Sequence, residues 1–242
     1  DRLLIEAIPL RSLQISTGSH TVALTARLNE PSLPPDALAA LIDAAERYDL
    51  APTIDRRLID AAVDALARAK RQGRNLHCLL PLSRSSISSR ETADYIARNL
   101  ASHNLSGERL CLVFSEDILT HLTSQAMEFS RQMHMLGCAI GLDDFGGGLS
   151  SFSHLRSISP SHVKLSRSLT RDLGGSRAST ALLRAVQEIT SDQHIHTIAE
   201  DVDDQETLDQ LRDLGIDFAQ GKAVAPNEPF EVWLEGAVMR TA

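Results

Sequence analysis

Short apolar runs alternate with longer amphipathic segments along almost the whole chain, and this limits the fold more than any single motif. The runs 3–10, 21–28, 76–82, 109–114, 139–142, 162–165, 197–199 and the short one at Phe218 predict strands. The segments 35–48, 54–71, 90–102, 117–136, 176–192, 204–214 and 229–240 carry apolar residues at helical spacing and predict helices. Pro34-Pro35-Asp36 suits a first helical turn, and Gly73, Gly137 and Gly215 stand where helices stop before the next strand. About eight strands separated by helices imply parallel βαβ units. The expected fold is therefore a (β/α)₈ barrel formed by residues 1–242 as one domain. A doubly wound open sheet is the structural alternative, but its glycine-rich nucleotide fingerprint after the first strand is missing. Only 83–89, 146–148 and 174–176 read as flexible stretches.

Composition narrows the function. The 242 residues are 43% hydrophobic, enough for one large core. A net charge of −8 argues against general DNA binding, which needs a basic face, yet leaves room for a locally positive pocket. Cys78, Cys111 and Cys138 sit in apolar runs without metal-pair spacing, so reduced, buried thiols and a cytoplasmic protein are expected. No apolar stretch reaches the roughly 20 residues of a membrane span, and no signal peptide is visible. The chain begins at Asp1 and reads as a domain taken from a longer protein.

Chemistry gathers where strands end, the usual place in a barrel of this kind. The fifth run leads into Asp143-Asp144-Phe145-Gly146-Gly147-Gly148, two adjacent carboxylates before a glycine-rich turn. Alone this is an ordinary acidic turn. The sixth run places Lys164 among apolar neighbours, where a lysine is rare and needs an acid such as Asp143 or Asp144. The seventh ends at Glu200, and the last at Gln220-Gly221. A lone salt bridge explains Lys164 but not the series, so these positions predict one shared pocket.

The segment from Asp143 through Lys164, then Ile198-Ala199-Glu200-Asp201-Val202-Asp203 and Gln220-Gly221, resembles the EAL family of cyclic di-GMP phosphodiesterases. The resemblance implies a modified TIM barrel whose first strand is antiparallel to the rest, and hydrolysis of cyclic di-GMP with two divalent metals. The metal pattern is broken. Aligned on Arg27, the family's namesake glutamate becomes Ala23 (Val22 if shifted by one). The third strand reads Pro81-Leu82-Ser83 in place of its asparagine motif. The fourth keeps Glu116 but has Val113 at the metal-binding glutamate, and Ser166 replaces an aspartate after Lys164. Such a set predicts no catalytic residues, no metal and no other cofactor. Among EAL relatives it resembles the metal-free FimX type of cyclic di-GMP receptor, a likeness that Ile54-Asp55-Arg56-Arg57 extends.

The resemblance also assigns a ligand set. Arg27 is expected at a phosphate, Glu6 and Asp55 at guanine N–H groups, and Pro226 at the pocket rim. Asp143, Asp144, Lys164, Glu200 and Gln220 complete the pocket. Phe218 is read either as a base-stacking ring or as core, Lys222 as replacement charge, and Trp233 as the anchor of the last helix. His194 and His196 fall at a loop–strand junction without a ligand pattern. The expected partners are cyclic di-GMP and a protein such as a PilZ-type adaptor in type IV pilus or virulence control, with no DNA and no membrane insertion. A scaffold that binds no nucleotide and a residual phosphodiesterase are the alternatives.

Overall fold

A computed structural model describes residues 3–14, 19–28, 45–48, 50–147, 151–171, 173 and 177–239. The strands are β1 (Leu3–Ser12), β2 (His20–Leu28), β3 (Leu76–Pro81), β4 (Leu110–Ser115), β5 (Ala139–Phe145), β6 (His162–Leu165), β7 (His196–Ala199), β8 (Phe218–Ala219) and β9 (Glu228–Pro229). Strands β2 to β8 pair in parallel in chain order, and β1 closes the ring by pairing antiparallel with both β2 and β8. This is the eight-stranded barrel with an inverted first strand that the resemblance implied. The two-residue β9 adds to β1 through Glu6↔Pro229 and Ala7↔Glu228.

Period-two alternation sorts each strand into an inner and an outer face. Val22, Leu24, Cys78, Leu80, Leu110, Leu112, Val163 and Leu165 pack outward in the large core beneath the helices. Leu10, Ala23, Leu79, Cys111, Val113 and Ile198 form a second, smaller cluster inside the barrel. Because Val163 and Leu165 face the helices, His162 and Lys164 point into the barrel.

The helices are α1 (Ala51–Arg71), α2 (Arg84–Ser88), α3 (Arg90–Ser102), α4 (Glu116–His121), α5 (Thr123–Met135), α6 (Ser151–Ile158), α7 (Arg167–Thr170), α8 (Arg177–Asp192), α9 (Gln205–Asp213) and α10 (Phe230–Met239). Several differ from the sequence reading. The single helix expected over 117–136 breaks at Leu122, whose φ of −131° and ψ of 39° lie outside the helical region. The stretch 83–89, read as flexible, contains α2, because Ser83 caps it by accepting from Ser86 N–H. Helices α6 and α7 were not anticipated; both are short, and α7 begins two residues after β6 ends. Of the helix expected over 35–48 only 45–48 are described, and they are helical through Arg47. The three cysteines are free and buried. Trp233 anchors α10 as expected, stacked on Phe230 at 6.2 Å and edge-on to His20 at 6.4 Å. No described helix is long and apolar enough to cross a membrane.

Candidate functional site

The carboxyl ends of the strands carry a charged cluster at the barrel mouth. Strand β5 shifts register against β6 between Leu142 and Phe145, and such an irregularity re-aims side chains. Phe145 is fully buried, Asp143 turns toward the mouth, and Asp144 takes a φ of 57° and stays exposed. Lys164 Nζ lies 2.6 Å from Glu200 Oε1 and 3.6 Å from Asp143 Oδ2. Gln220 Nε2 donates to the same Glu200 oxygen at 2.6 Å. The pairing expected for Lys164 thus falls to Asp143 and Glu200, with Asp144 turned away.

Burial alone would push the Lys164 ammonium down, but Asp143 and Glu200 outweigh it and hold its pKa above the ordinary lysine value. Burial pushes Glu200 up, Lys164 opposes that, and Asp143 adds to it. One ammonium therefore serves two carboxylates, and burial works against the charge on Glu200. Gln220 contributes a further oddity: its Oε1 is buried with no hydrogen-bond partner among the described residues.

Register explains a second pair. Antiparallel β1 and β2 place Glu6 opposite Thr25 and Leu4 opposite Arg27, so Glu6 and Arg27 are diagonal neighbours. Arg27 Nε donates to Glu6 Oε1 at 2.5 Å. The sequence reading left Arg27 free because Ala23 has no charge; the structure corrects this, since Glu6 on the neighbouring strand already engages it. The Arg27 side chain remains 42% exposed, and among the described residues its other donors make only a long bond to Leu28 O, 3.4 Å.

Beside these groups lies a cavity of about 350 Å³, within the ordinary range for small-molecule sites. Its walls include Thr25, Ile54, Leu58, Pro81, Leu82, Val113 and Phe114, with Glu46, Asp55, Ser83, Arg84, Asp117 and Asp143 as polar groups. Asp55 sits on α1 but is not a surface helix residue. It is buried and accepts from Ser83 N–H at 2.9 Å and Ser83 O–H at 2.6 Å. Burial raises its pKa, and those hydrogen bonds partly offset the rise. Ser83 and Arg84 were missed as site residues; a serine following strand β3 was their only signal. Glu116, which starts α4, lies 3.2 Å from His154 Nδ1 on α6.

Phe218, Pro226 and Lys222 lie outside the charged cluster. Phe218 is two residues below Gln220 on the inner face of β8, at the opposite, amino-terminal end of the barrel. Its ring lies 6.2 Å from His162 and 5.8 Å from His196 and borders a separate cavity there. Pro226 is exposed in the loop between β8 and β9. Lys222 is exposed and pairs with Asp203 at 3.3 Å, outside the cluster. Gly221 before it needs its φ of 138°, because a Cβ there would lie 2.4 Å from Val202 N.

A two-metal centre does not fit these donors. Ala23 and Val113 are packed in the apolar cluster, Pro81 offers no side-chain oxygen, and Glu200 and Asp143 are engaged by Lys164. Among the described residues, no three His, Cys, Asp or Glu side chains group closely enough to hold a metal ion. Magnesium requires near-octahedral oxygen coordination, which two carboxylates sharing a lysine do not supply.

Comparison with known proteins places this architecture. The chain is 30% identical over its whole length to cyclic di-GMP phosphodiesterase PdeB of Shewanella oneidensis, of which it spans 28%. It is 26% identical to cyclic di-GMP phosphodiesterase PA2567 of Pseudomonas aeruginosa, covering 92% of this chain and 38% of that protein. The crystal structure of the Xanthomonas citri FimX EAL domain in complex with c-diGMP is 30% identical with a TM-score of 0.85, covering 95% of this chain and 89% of that one. The FimX EAL domain of Pseudomonas aeruginosa, also bound to c-di-GMP, shares the fold at 22% identity and a TM-score of 0.84, over 94% of this chain and 91% of that one. The EAL domain profile matches residues 13–227, and the chain belongs to the EAL domain family.

Proposed function

We propose that this domain is a cyclic di-GMP receptor that binds the dinucleotide without metal and does not hydrolyse it. The observation that carries the reading is the apolar packing of Ala23 and Val113 inside the barrel, at the two positions where the family resemblance expects carboxylate ligands. Restoring a metal there would require charged side chains in a cluster that buries Leu79, Cys111 and Ile198. The likeness to the FimX domain solved with c-diGMP supports binding. So does the unpaired Gln220 Oε1, since a buried acceptor without a donor costs about 1–3 kcal/mol and a ligand N–H would relieve it.

In this reading Arg27 contacts phosphate with the donors that Glu6 leaves open. Asp55 accepts from a guanine edge at the cavity wall, Asp143 lines the same cavity, and Lys164, Glu200 and Gln220 form the polar cluster beside it. Phe218, at the opposite end of the barrel, is not part of the site; Asp144 is exposed beside it, and Pro226 keeps its rim role on the loop that leaves β8 at the mouth. A cytoplasmic location and a protein partner of the PilZ-adaptor kind belong to the same proposal, on resemblance to the FimX type.

Hydrolysis is the second reading, favoured by the similarity to PdeB and PA2567, both named phosphodiesterases. Two measurements decide. Calorimetric titration with cyclic di-GMP is expected to show binding. Incubation with Mg²⁺ or Mn²⁺, followed by chromatography, is expected to show no linear product. Turnover on the order of 1 s⁻¹ or faster would establish the enzyme, and a flat titration would remove the receptor.

A further inference from the structure

The mouth cavity is short of positive charge. Glu46, Asp55, Asp117 and Asp143 line it, and Arg84 is the one Lys or Arg among its described lining residues. The neighbouring cations are engaged: Lys164 by two carboxylates and Arg27 by Glu6. A ligand with two phosphate charges entering here meets acids on most sides. We infer that Arg84 is a phosphate-binding residue of this pocket, which exchanges its present partner Asp117 for the dinucleotide. This rests on the receptor reading above and adds a residue that the strand-end pattern did not contain.

Two features of the fold place it. Arg84 opens α2, directly after the cap residue Ser83, and Ser83 is fixed from below by both bonds to the buried Asp55. The backbone that carries Arg84 is therefore held rigidly. Its side chain then reaches from the end of β3 to the start of α4 at the end of β4, where Nη2 donates to Asp117 Oδ2 at 2.6 Å. That path bridges the ends of the strands bearing Pro81 and Val113, which border the same cavity and stand where the family resemblance implies polar ligands. The cation thus lies beside the positions left without metal donors.

The exchange is chemically reasonable. The ion pair with Asp117 is half exposed, with the two side chains 41% and 58% accessible, and exposed pairs are weakly held. A guanidinium offers five donors in a planar fork that matches phosphate, while the bond to Asp117 occupies one nitrogen. Asp117 also has His121 within 3.3 Å, so it keeps a neighbour when Arg84 leaves.

The test is titration of cyclic di-GMP into the parent, Arg84→Ala and Asp117→Asn at several salt concentrations, with thermal melts of each. Arg84→Ala is expected to weaken binding about tenfold or more, the scale of one charge-assisted hydrogen bond. Its affinity should also fall less steeply with salt than the parent's, because one ionic contact is gone. Asp117→Asn is expected to bind severalfold tighter, since it releases the guanidinium and removes an acid. If the parent binds and Arg84→Ala binds equally well, the assignment of Arg84 is wrong while the receptor reading stands. An equal salt dependence, or Asp117→Asn weakening binding, assigns Arg84 a structural role and overturns the inference. A parent that does not bind overturns both.

Discussion

The two ends of the barrel solve the same problem in opposite ways. Both place ionisable groups on the inner face of β6 and its neighbours. At the mouth, Lys164 meets Asp143 and Glu200, and charge is retained because charge is matched. At the base, His162 and His196 lie 5.4 Å apart with Phe218 against both. There the two rings are driven apart in protonation. Burial, helped by His196 and His77, pushes His162 down to about 4, with only Asp217 opposing. The hydrogen bond to Asp217 raises His196 instead, against its partial burial. The mouth cluster holds one ammonium between two carboxylates, so it keeps its ions without offering a net positive field, and an anion entering there needs a cation from outside the cluster. The base stores its polarity as neutral imidazole and a carboxylate held by Thr197, whose N–H and O–H both donate to Asp217 at 2.9 Å.

Removing Lys164 should break this contrast most severely. Lys164→Ala strands Asp143 and Glu200 in a partly buried cluster, and taking one partner from such a pair costs about 3–5 kcal/mol. Urea unfolding measures it, and a loss below about 1 kcal/mol would show that the mouth tolerates unmatched charge.

Acid should act on the base next. The fold holds His162 neutral, with a pKa of about 4 against an ordinary value of 6.5. Its stabilising contribution is complete above 6.5 and is lost as the pH falls from 6.5 toward 4, by at most about 3 kcal/mol. His196 has the opposite sign, because its raised pKa favours the fold below 6.5 and the gain fades as the pH rises through the folded value. Stability curves of the parent and His162→Phe between pH 4 and 7 test this. The variant should show a shallower acid loss, and an unchanged slope would mean that the acid sensitivity lies elsewhere.

At the mouth, Arg27→Ala is expected to weaken cyclic di-GMP binding about tenfold, or ~1.4 kcal/mol, without unfolding the barrel. Glu6→Gln should tighten it by a smaller factor, since it removes the competing carboxylate. Titration of both variants sharpens the picture. If Arg27→Ala binds as the parent does, phosphate is held by other groups. The smallest effect expected is that of a chelator. Binding in its presence should match binding in added Mg²⁺, and a large loss on chelation would reinstate a metal among the surviving acids.

Sequence reading reached most of the barrel because strand and helix periods are local properties. It also found the Lys164 cluster, since a lysine within an apolar run must have an acid nearby and few acids end neighbouring strands. It misjudged Arg27, whose partner Glu6 is 21 positions away and is brought alongside by antiparallel register. It left Phe218 between two roles, because one inner-face residue looks like another until its height in the barrel is known. It did not find Arg84 with Asp117, 33 positions apart, or the three histidines at the base, each a single residue on a separate strand.

By itself, then, the sequence determined the main alternation of strands and helices, the face each strand residue takes, and the apolar side chains at positions where the family resemblance expects acids. Those follow from periodicity and side-chain chemistry, which every short segment carries within itself. Only the tertiary structure decided which ions are matched. It gave Glu200 and Asp143 to Lys164, Glu6 to Arg27 and Asp117 to Arg84. Partner choice depends on register across the closed sheet and on the reach of long side chains over strand ends, distances that exist only once the barrel has formed.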